Sequence, residues 1–198
     1  MLPSGGQTGV CCSSPITPVE LAVPAIASAE SVVIDSTADE VKVVPVNIIV
    51  RRIEARDEER WRVLWDGYNR FYEREPSEVV TRHLWARIMN PAAPVYAIVA
   101  DREGFGVIGI ANYIVHESTL CLTPVCYLQD LFVDPDHRGG SVGKQLIDWL
   151  LAEMAAQNWS RLYWQTKENN YRARSLYDKY TPHSGFVRYV VSNPAVRS

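Results

Sequence analysis

Cysteine and histidine are scarce, with four of each among 198 residues. Cys11 and Cys12 are adjacent and Cys121 and Cys126 stand far from them, which is neither zinc-ligand spacing nor the density of a secreted disulfide scaffold. A reducing, cytoplasmic setting fits that usage. His83, His116, His137 and His183 show none of the short spacings that put two imidazoles on one ion, so no metal is expected. Every apolar run is broken by polar residues or proline before it could cross a bilayer, which excludes a membrane-spanning role. Positive charge is not in excess either. Lys and Arg number 20 against 23 Asp and Glu, a net charge of -3, and nucleic acid is therefore not an expected partner. The arginines at 51, 52, 56, 60 and 62 look basic, but Glu54, Asp57, Glu58 and Glu59 are interleaved with them, as on a solvated helix face.

Material for a core is plentiful: 47% of positions are hydrophobic, with six Trp and ten Tyr, which suits one globular domain of this length. The chain changes character near position 45. No Lys or Arg precedes Lys42, and Pro3, Pro15, Pro18 and Pro24 punctuate small and hydroxyl residues. Neither a secretory signal nor an Arg-rich transit peptide has that composition. Residues 1–45 are expected to be a flexible extension, with residues 46–198 forming the domain; the alternative is an extra strand at Ser31 to Val46.

Periodicity then sets out the elements. Asn47 to Ile53 suits a strand, and Asp57 is expected to cap a helix whose Trp61, Leu64, Trp65, Tyr68, Phe71 and Tyr72 recur on one face. A second helix carries Leu84, Trp85, Ile88 and Met89 and stops at Asn90-Pro91. Val95 to Ala100 and Gly106 to Val115 flank an Asp101-Arg102-Glu103-Gly104 turn and predict a hairpin. Next come a strand at Val125 to Val133, a helix from about Ser141 to Ala156, a strand at Arg161 to Gln165, a helix at about Asn170 to Tyr180 and a last strand at Phe186 to Val191. The predicted order is β-α-α-β-β-β-α-β-α-β, an α/β fold whose mixed central sheet has helices on both faces.

Between the fourth strand and third helix runs Val133-Asp134-Pro135-Asp136-His137-Arg138-Gly139-Gly140-Ser141-Val142-Gly143-Lys144. A strand feeding a Gly-rich turn and a helix gathers free backbone N–H groups and the positive end of a helix dipole, which suits phosphate. Arg138 and Lys144 add charge. It is not a Walker A loop, since three residues separate Gly139 from Gly143 and Gln145 follows Lys144. Read alone, it is equally an ordinary tight connection.

The segment resembles the pyrophosphate loop of the GNAT superfamily of acyl-CoA-dependent N-acetyltransferases, in which Gln or Arg is followed by two residues, Gly, one residue, then Gly or Ala. Arg138, Gly139, Gly140, Ser141, Val142 and Gly143 take those places, with Ser141 where the first signature Gly is usual. A serine fits a helical backbone there, whereas a positive φ would cost about 1 kcal/mol and weaken the site. Asn170-Tyr171-Arg172-Ala173-Arg174-Ser175-Leu176-Tyr177 is similar to a later motif of the same family, and by that resemblance Asn170 belongs to the cofactor site. Read without it, the stretch is an amphipathic helix with Tyr177 as a half-buried core aromatic.

The resemblance implies a GNAT fold, acetyl-CoA as co-substrate and transfer of an acetyl group to a primary amine: a small amine, amino acid, polyamine or basic peptide tail. It places the oxyanion-binding backbone N–H groups at Leu131, Phe132 and Val133, the phosphate-binding residues at 138–144, and the general acid at Tyr177. Asp130 is the candidate base, with a hydrogen-bonded strand carboxylate as the alternative reading. Tyr127 to Val133 is similar to a segment of yeast histone- and polyamine-acetylating enzymes, but Gln129 replaces a Glu there, which removes a possible base and cation partner. Acceptor choice is expected from Tyr68 to Glu78, including Tyr72, Glu73 and Glu75, and from the loop His116 to Thr123; these are otherwise solvated loop residues. A homodimer paired through Phe186 to Val191 is expected. The reading from a different class is a non-catalytic acyl-CoA-binding or sensing module of the same fold.

Overall fold

The computed structural model describes residues 47–195. Both the expected extension at 1–45 and its alternative as a docked strand lie outside the described residues. The elements are β1 (Ile48–Arg52), α1 (Glu58–Phe71), α2 (Glu78–Ile88), β2 (Val95–Arg102), β3 (Gly106–His116), β4 (Val125–Val133), α3 (Val142–Ala156), β5 (Leu162–Trp164) and α4 (Tyr171–Tyr177). The sheet runs in the order β1-β2-β3-β4-β5, with four antiparallel strands and β5 parallel to β4. The expected mixed sheet with helices on both faces is what the chain forms.

Strand alternation creates two cores. Val95, Ala97 and Val99 of β2 point to one side, where they meet Trp61, Leu64, Trp65 and Tyr68 of α1 and Leu84 and Ile88 of α2. Ile98 and Ala100 point to the other, against Val142, Leu146, Ile147 and Leu150 of α3. Each fully buried side chain of this size contributes about 2 kcal/mol. Gly67 lets α1 come this close, since a Cβ there would stand 2.9 Å from the Phe132 ring.

Two expectations change. Phe186–Val191, expected as a last strand, has no ladder partner among the described residues, and Phe186, Tyr189 and Val191 are 93%, 90% and 98% exposed. A strand needs an edge to pair with, and the edge strand β5 offers only three residues. Asp57 does precede α1, yet its carboxylate makes no side-chain cap to that helix. It accepts instead from Arg51 Nη1 at 2.7 Å, Arg51 Nη2 at 2.9 Å and the Glu54 N–H at 2.8 Å. Arg51 also reaches Asp101 at 2.8 Å, so part of the arginine cluster ties β1 and β2 to the start of α1. Arg60 similarly pairs with Asp134 and donates to the Val107 carbonyl, anchoring the end of β4.

Candidate active site

The site begins with a flaw in the β4 ladder. Asn112 pairs with Asp130 but Tyr113 pairs with Leu128, so Gln129 is an extra residue and β4 bulges there. Pairing with β5 covers Cys126 to Leu128 and goes no further, so the two strands part at the bulge. The Asp134 N–H bonds to the Ile108 carbonyl, and antiparallel alternation then turns the Asp130 and Phe132 N–H groups toward β3. Leu131 and Val133 turn theirs toward the opening between β4 and β5. Of the three residues expected to supply oxyanion donors, alternation therefore leaves Leu131 and Val133 with N–H groups that have no partner among the described residues and commits Phe132 to the sheet.

Below the opening, Pro135–His137 forms one 3-10 turn and the glycine segment follows. Gly139 has φ +96, a conformation that favours glycine, and beyond the adjoining residues nothing among the described residues lies within 4 Å of where a Cβ would stand at Gly139 or Gly140. Ser141 has φ -86 and ψ 11 and accepts from Gln145 Nε2 at 2.7 Å, so the departure from the family signature carries no backbone strain. Val142 begins α3 and is buried under the sheet. Gly143 packs closely, with Leu176 Cδ2 at 3.3 Å and Leu131 Cδ2 at 3.8 Å from its Cβ position, which brings α4 over the opening.

Arg138 is held by its Nε donating to the Val133 carbonyl at 2.9 Å and by lying 5.1 Å over the Phe132 ring. Burial and the neighbouring Arg172 hold its guanidinium below its ordinary value. The charge of Arg172, on α4, thus reaches Arg138, and Arg172 was not anticipated from sequence. Lys144 makes an ion pair with Asp148 at 2.5 Å along its own helix, and Tyr180 donates to the same Asp148 at 2.7 Å. Asn170 caps α4: its Oδ1 accepts from the Ala173 N–H at 3.4 Å, and its Nδ2 donates to Thr166 at 2.9 Å.

Tyr177 ends α4 and packs on Trp164 of β5, with ring centroids 5.4 Å apart. Burial, with a smaller contribution from Tyr72, pushes its phenol up to about 12. It therefore holds its proton through the neutral range. Asp130 lies on the other side, 4% exposed, accepting from Asn112 Nδ2 at 3.2 Å. Burial raises its carboxyl, while Tyr68, Asn112 and the charge of Arg74 pull the other way. Asn112 in turn accepts from Trp61 Nε1 at 3.3 Å, so this buried polar chain links the α1 core to the bulge. The sequence offered one signal for Asn112, a lone amide inside an apolar strand.

Of the expected acceptor residues, Tyr72 is half-buried while Glu73 and Glu75 are exposed. Across the sheet, His116 Nε2 lies 2.9 Å from the Tyr163 hydroxyl, and Tyr163 stacks on Tyr127 at 5.0 Å. Among the described residues no group of His, Cys, Asp and Glu is placed to hold a metal, and no helix is long and apolar enough to cross a membrane.

Comparisons with known proteins agree with this geometry. The sequence model of the acetyltransferase (GNAT) family matches residues 58–181. A D-amino-acid N-acetyltransferase of Saccharomyces cerevisiae is 33% identical over 150 residues, covering 75% of this chain and 92% of the yeast protein. An uncharacterized N-acetyltransferase of Bacillus subtilis, YhfO, is 30% identical over 151 residues, covering 74% of this chain and 98% of its own. Among solved structures, a ribosomal-protein-alanine N-acetyltransferase from Brucella melitensis biovar Abortus 2308 superposes with TM-score 0.61 at 20% identity, covering 74% of this chain and 100% of its own. An aminoglycoside N-acetyltransferase, AAC(6')-Iy, in complex with CoA gives 0.61 at 18% identity, covering 76% of this chain and 97% of its own. With its parted strands, glycine turn and matched sequence, the chain belongs to the GNAT family of acetyltransferases.

Proposed function

We propose that this protein transfers an acetyl group from acetyl-CoA to a primary amine by direct attack within a ternary complex, the acceptor being a small amine, an amino acid, a polyamine or a basic peptide tail. One observation carries the reading: the N–H groups of Leu131 and Val133 open between β4 and β5, with the Gly139 turn at one end and Tyr177 of α4 packed on Trp164, the β5 residue at which the two strands part. The name of the yeast relative, a D-amino-acid N-acetyltransferase, supports including amino acids in the test.

Acetyl-CoA supplies a thioester whose carbonyl oxygen gains charge during transfer and whose sulfur leaves. Residues 138–143 and Arg172 hold the diphosphate, through backbone donors and two guanidinium groups. The Leu131 and Val133 N–H groups bear the developing oxyanion charge, pre-aimed by the sheet. Tyr177 donates its proton to the departing sulfur, for which a phenol kept neutral by burial is suited. Asp130, buried beneath Tyr68, holds negative charge near the incoming ammonium and receives its proton through the Tyr68 hydroxyl or water. Lys144 and Asn170 act at one remove, through the Asp148 ion pair and the α4 cap.

A panel of amines with acetyl-CoA, read by release of free thiol, tests the reading. Turnover on at least one amine is expected. Cofactor binding without turnover on any amine would leave a non-catalytic acyl-CoA sensor instead. We also infer a cytoplasmic homodimer in which the Phe186–Val191 segment, exposed and without a ladder partner among the described residues, pairs with a second copy. A monomer mass by sedimentation at micromolar concentration would refute that assembly.

A further inference from the structure

The turn that closes α1 aims a cation at the acceptor side of the sheet. Glu73 has φ 55, a left-handed backbone that costs a non-glycine residue about 1 kcal/mol. The turn is held nevertheless, because the Glu73 N–H bonds to the Arg70 carbonyl at 3.1 Å and the Arg74 N–H to the Asn69 carbonyl at 2.9 Å. Arg74 is thereby fixed at its root. Its guanidinium lies 5.2 Å over the Tyr72 ring, and Lys167, from the segment between β5 and α4, brings its Nζ to 5.6 Å from the same ring. Among the described residues neither cation has a carboxylate within ion-pair distance, although Glu73, Glu75 and Glu168 are their sequence neighbours.

The Tyr72 ring connects these cations to the reacting end. It sits 5.0 Å from the Tyr68 ring, whose hydroxyl reaches the Gln129 carbonyl at 3.5 Å, one residue from Asp130. Arg74 is close enough that its charge acts on Asp130, Tyr68 and Tyr127 together. The acceptor side thus has a buried carboxylate at its inner end and two unpaired cations at its outer end. A polyamine or lysine tail would bring further positive charge toward Arg74 and Lys167. A zwitterion meets both ends: its ammonium faces Asp130 and its carboxylate faces the planar guanidinium fork, which matches two carboxylate oxygens.

We propose that Arg74, seconded by Lys167, reads a carboxylate on the acceptor, so that the amine acetylated belongs to an amino acid rather than to a polycation. This rests on the amine acetyl transfer proposed above and narrows its acceptor. Arg74 is a specificity residue in this scheme: it touches the acceptor's carboxylate and neither the attacking nitrogen nor the thioester.

The test compares leucine with leucinamide, in both enantiomers, as acceptors for the full chain and for Arg74→Gln. The two acceptors share a side chain and differ in the carboxylate, and comparing the change between proteins cancels their unequal amine basicity. Arg74→Gln should lower kcat/KM for the amino acid by about 10- to 100-fold, chiefly through KM, as for a lost charge-assisted hydrogen bond. The amide should change by less than about threefold, and KM for acetyl-CoA should hold. Arg74→Lys should fall between, keeping the charge and losing the fork. Equal losses on acid and amide, an unchanged rate on the acid, or faster acetylation of spermidine than of any amino acid would overturn the assignment while leaving amine acetylation intact. Absence of turnover on every amine would overturn both.

Discussion

Replacing Tyr177 by Phe separates chemistry from packing, because the two side chains fill nearly the same space. The ring packs on Trp164 at a centroid distance of 5.4 Å, and that contact survives. Among the described residues the Tyr177 hydroxyl has no hydrogen-bond partner, so removing it breaks no bond, and stability should change by less than about 0.5 kcal/mol. If the phenol protonates the leaving thiolate, kcat should fall by about 100-fold, the lower end of what a positioned general acid contributes, or about 2.7 kcal/mol in the barrier. Acetyl-CoA affinity should stay within a few-fold. Because burial keeps the phenol at about 12, its ionisation should not shape the pH profile of the native enzyme below about pH 10. The assay is steady-state and single-turnover kinetics on the variant beside thermal melts with and without acetyl-CoA. An unchanged single-turnover rate with an unchanged melt would remove Tyr177 from the mechanism. Tyr177→Ala is the control for packing, expected to cost about 2 kcal/mol because the ring is half-buried.

Four further outcomes follow from the same structure. Gly139→Ala, at φ +96, should cost about 1 kcal/mol and weaken acetyl-CoA binding, whereas Ser141→Gly, at φ -86, should leave affinity within about twofold; calorimetric titration of both variants checks the pair. Asn112→Ala leaves Trp61 Nε1 and Asp130 short of a buried partner and should cost about 1–3 kcal/mol in urea unfolding, and a cost below 0.5 kcal/mol would show that water replaces the amide. Tyr177 and Cys126 are both pushed up to about 12 by burial, so they stay neutral in the folded chain at pH values where the unfolded chain ionises. The stability this contributes is complete below about pH 8 and lost as pH rises toward 12, so the melting temperature should drop through that window rather than stay level. A chain starting at Val46 should bind acetyl-CoA as the full chain does, and loss of binding would give residues 1–45 a structural role.

Much of this protein could be read from local pattern. The Trp61-Leu64-Trp65-Tyr68 stripe predicted α1 because side chains three and four apart share a helix face, and those four are buried. The hairpin, β4 and α3 followed from period two, period 3.6 and their punctuation. Phe186–Val191 misled, because an apolar, β-branched composition states what a segment could pair with and says nothing of whether an edge is available.

The site divided along the same line. Residues contiguous in sequence, Arg138 to Gly143 and Asn170 to Tyr177, were legible because the backbone geometry they build is local. Arg172 beside Arg138, Asn112 beneath Asp130, and Arg74 with Lys167 on one tyrosine ring were not, because each pairing joins distant segments across the sheet. The bulge at Gln129 was equally hidden. Strict alternation predicts a continuous ladder, and the extra residue becomes visible only when β3 supplies the register. The sequence by itself determined the elements from β1 to α4, their order and the glycine turn, since those depend on near neighbours along the chain. Tertiary structure decided which N–H groups of β4 face the opening and which cations meet at its edges, since both depend on how strands pair and how helices pack.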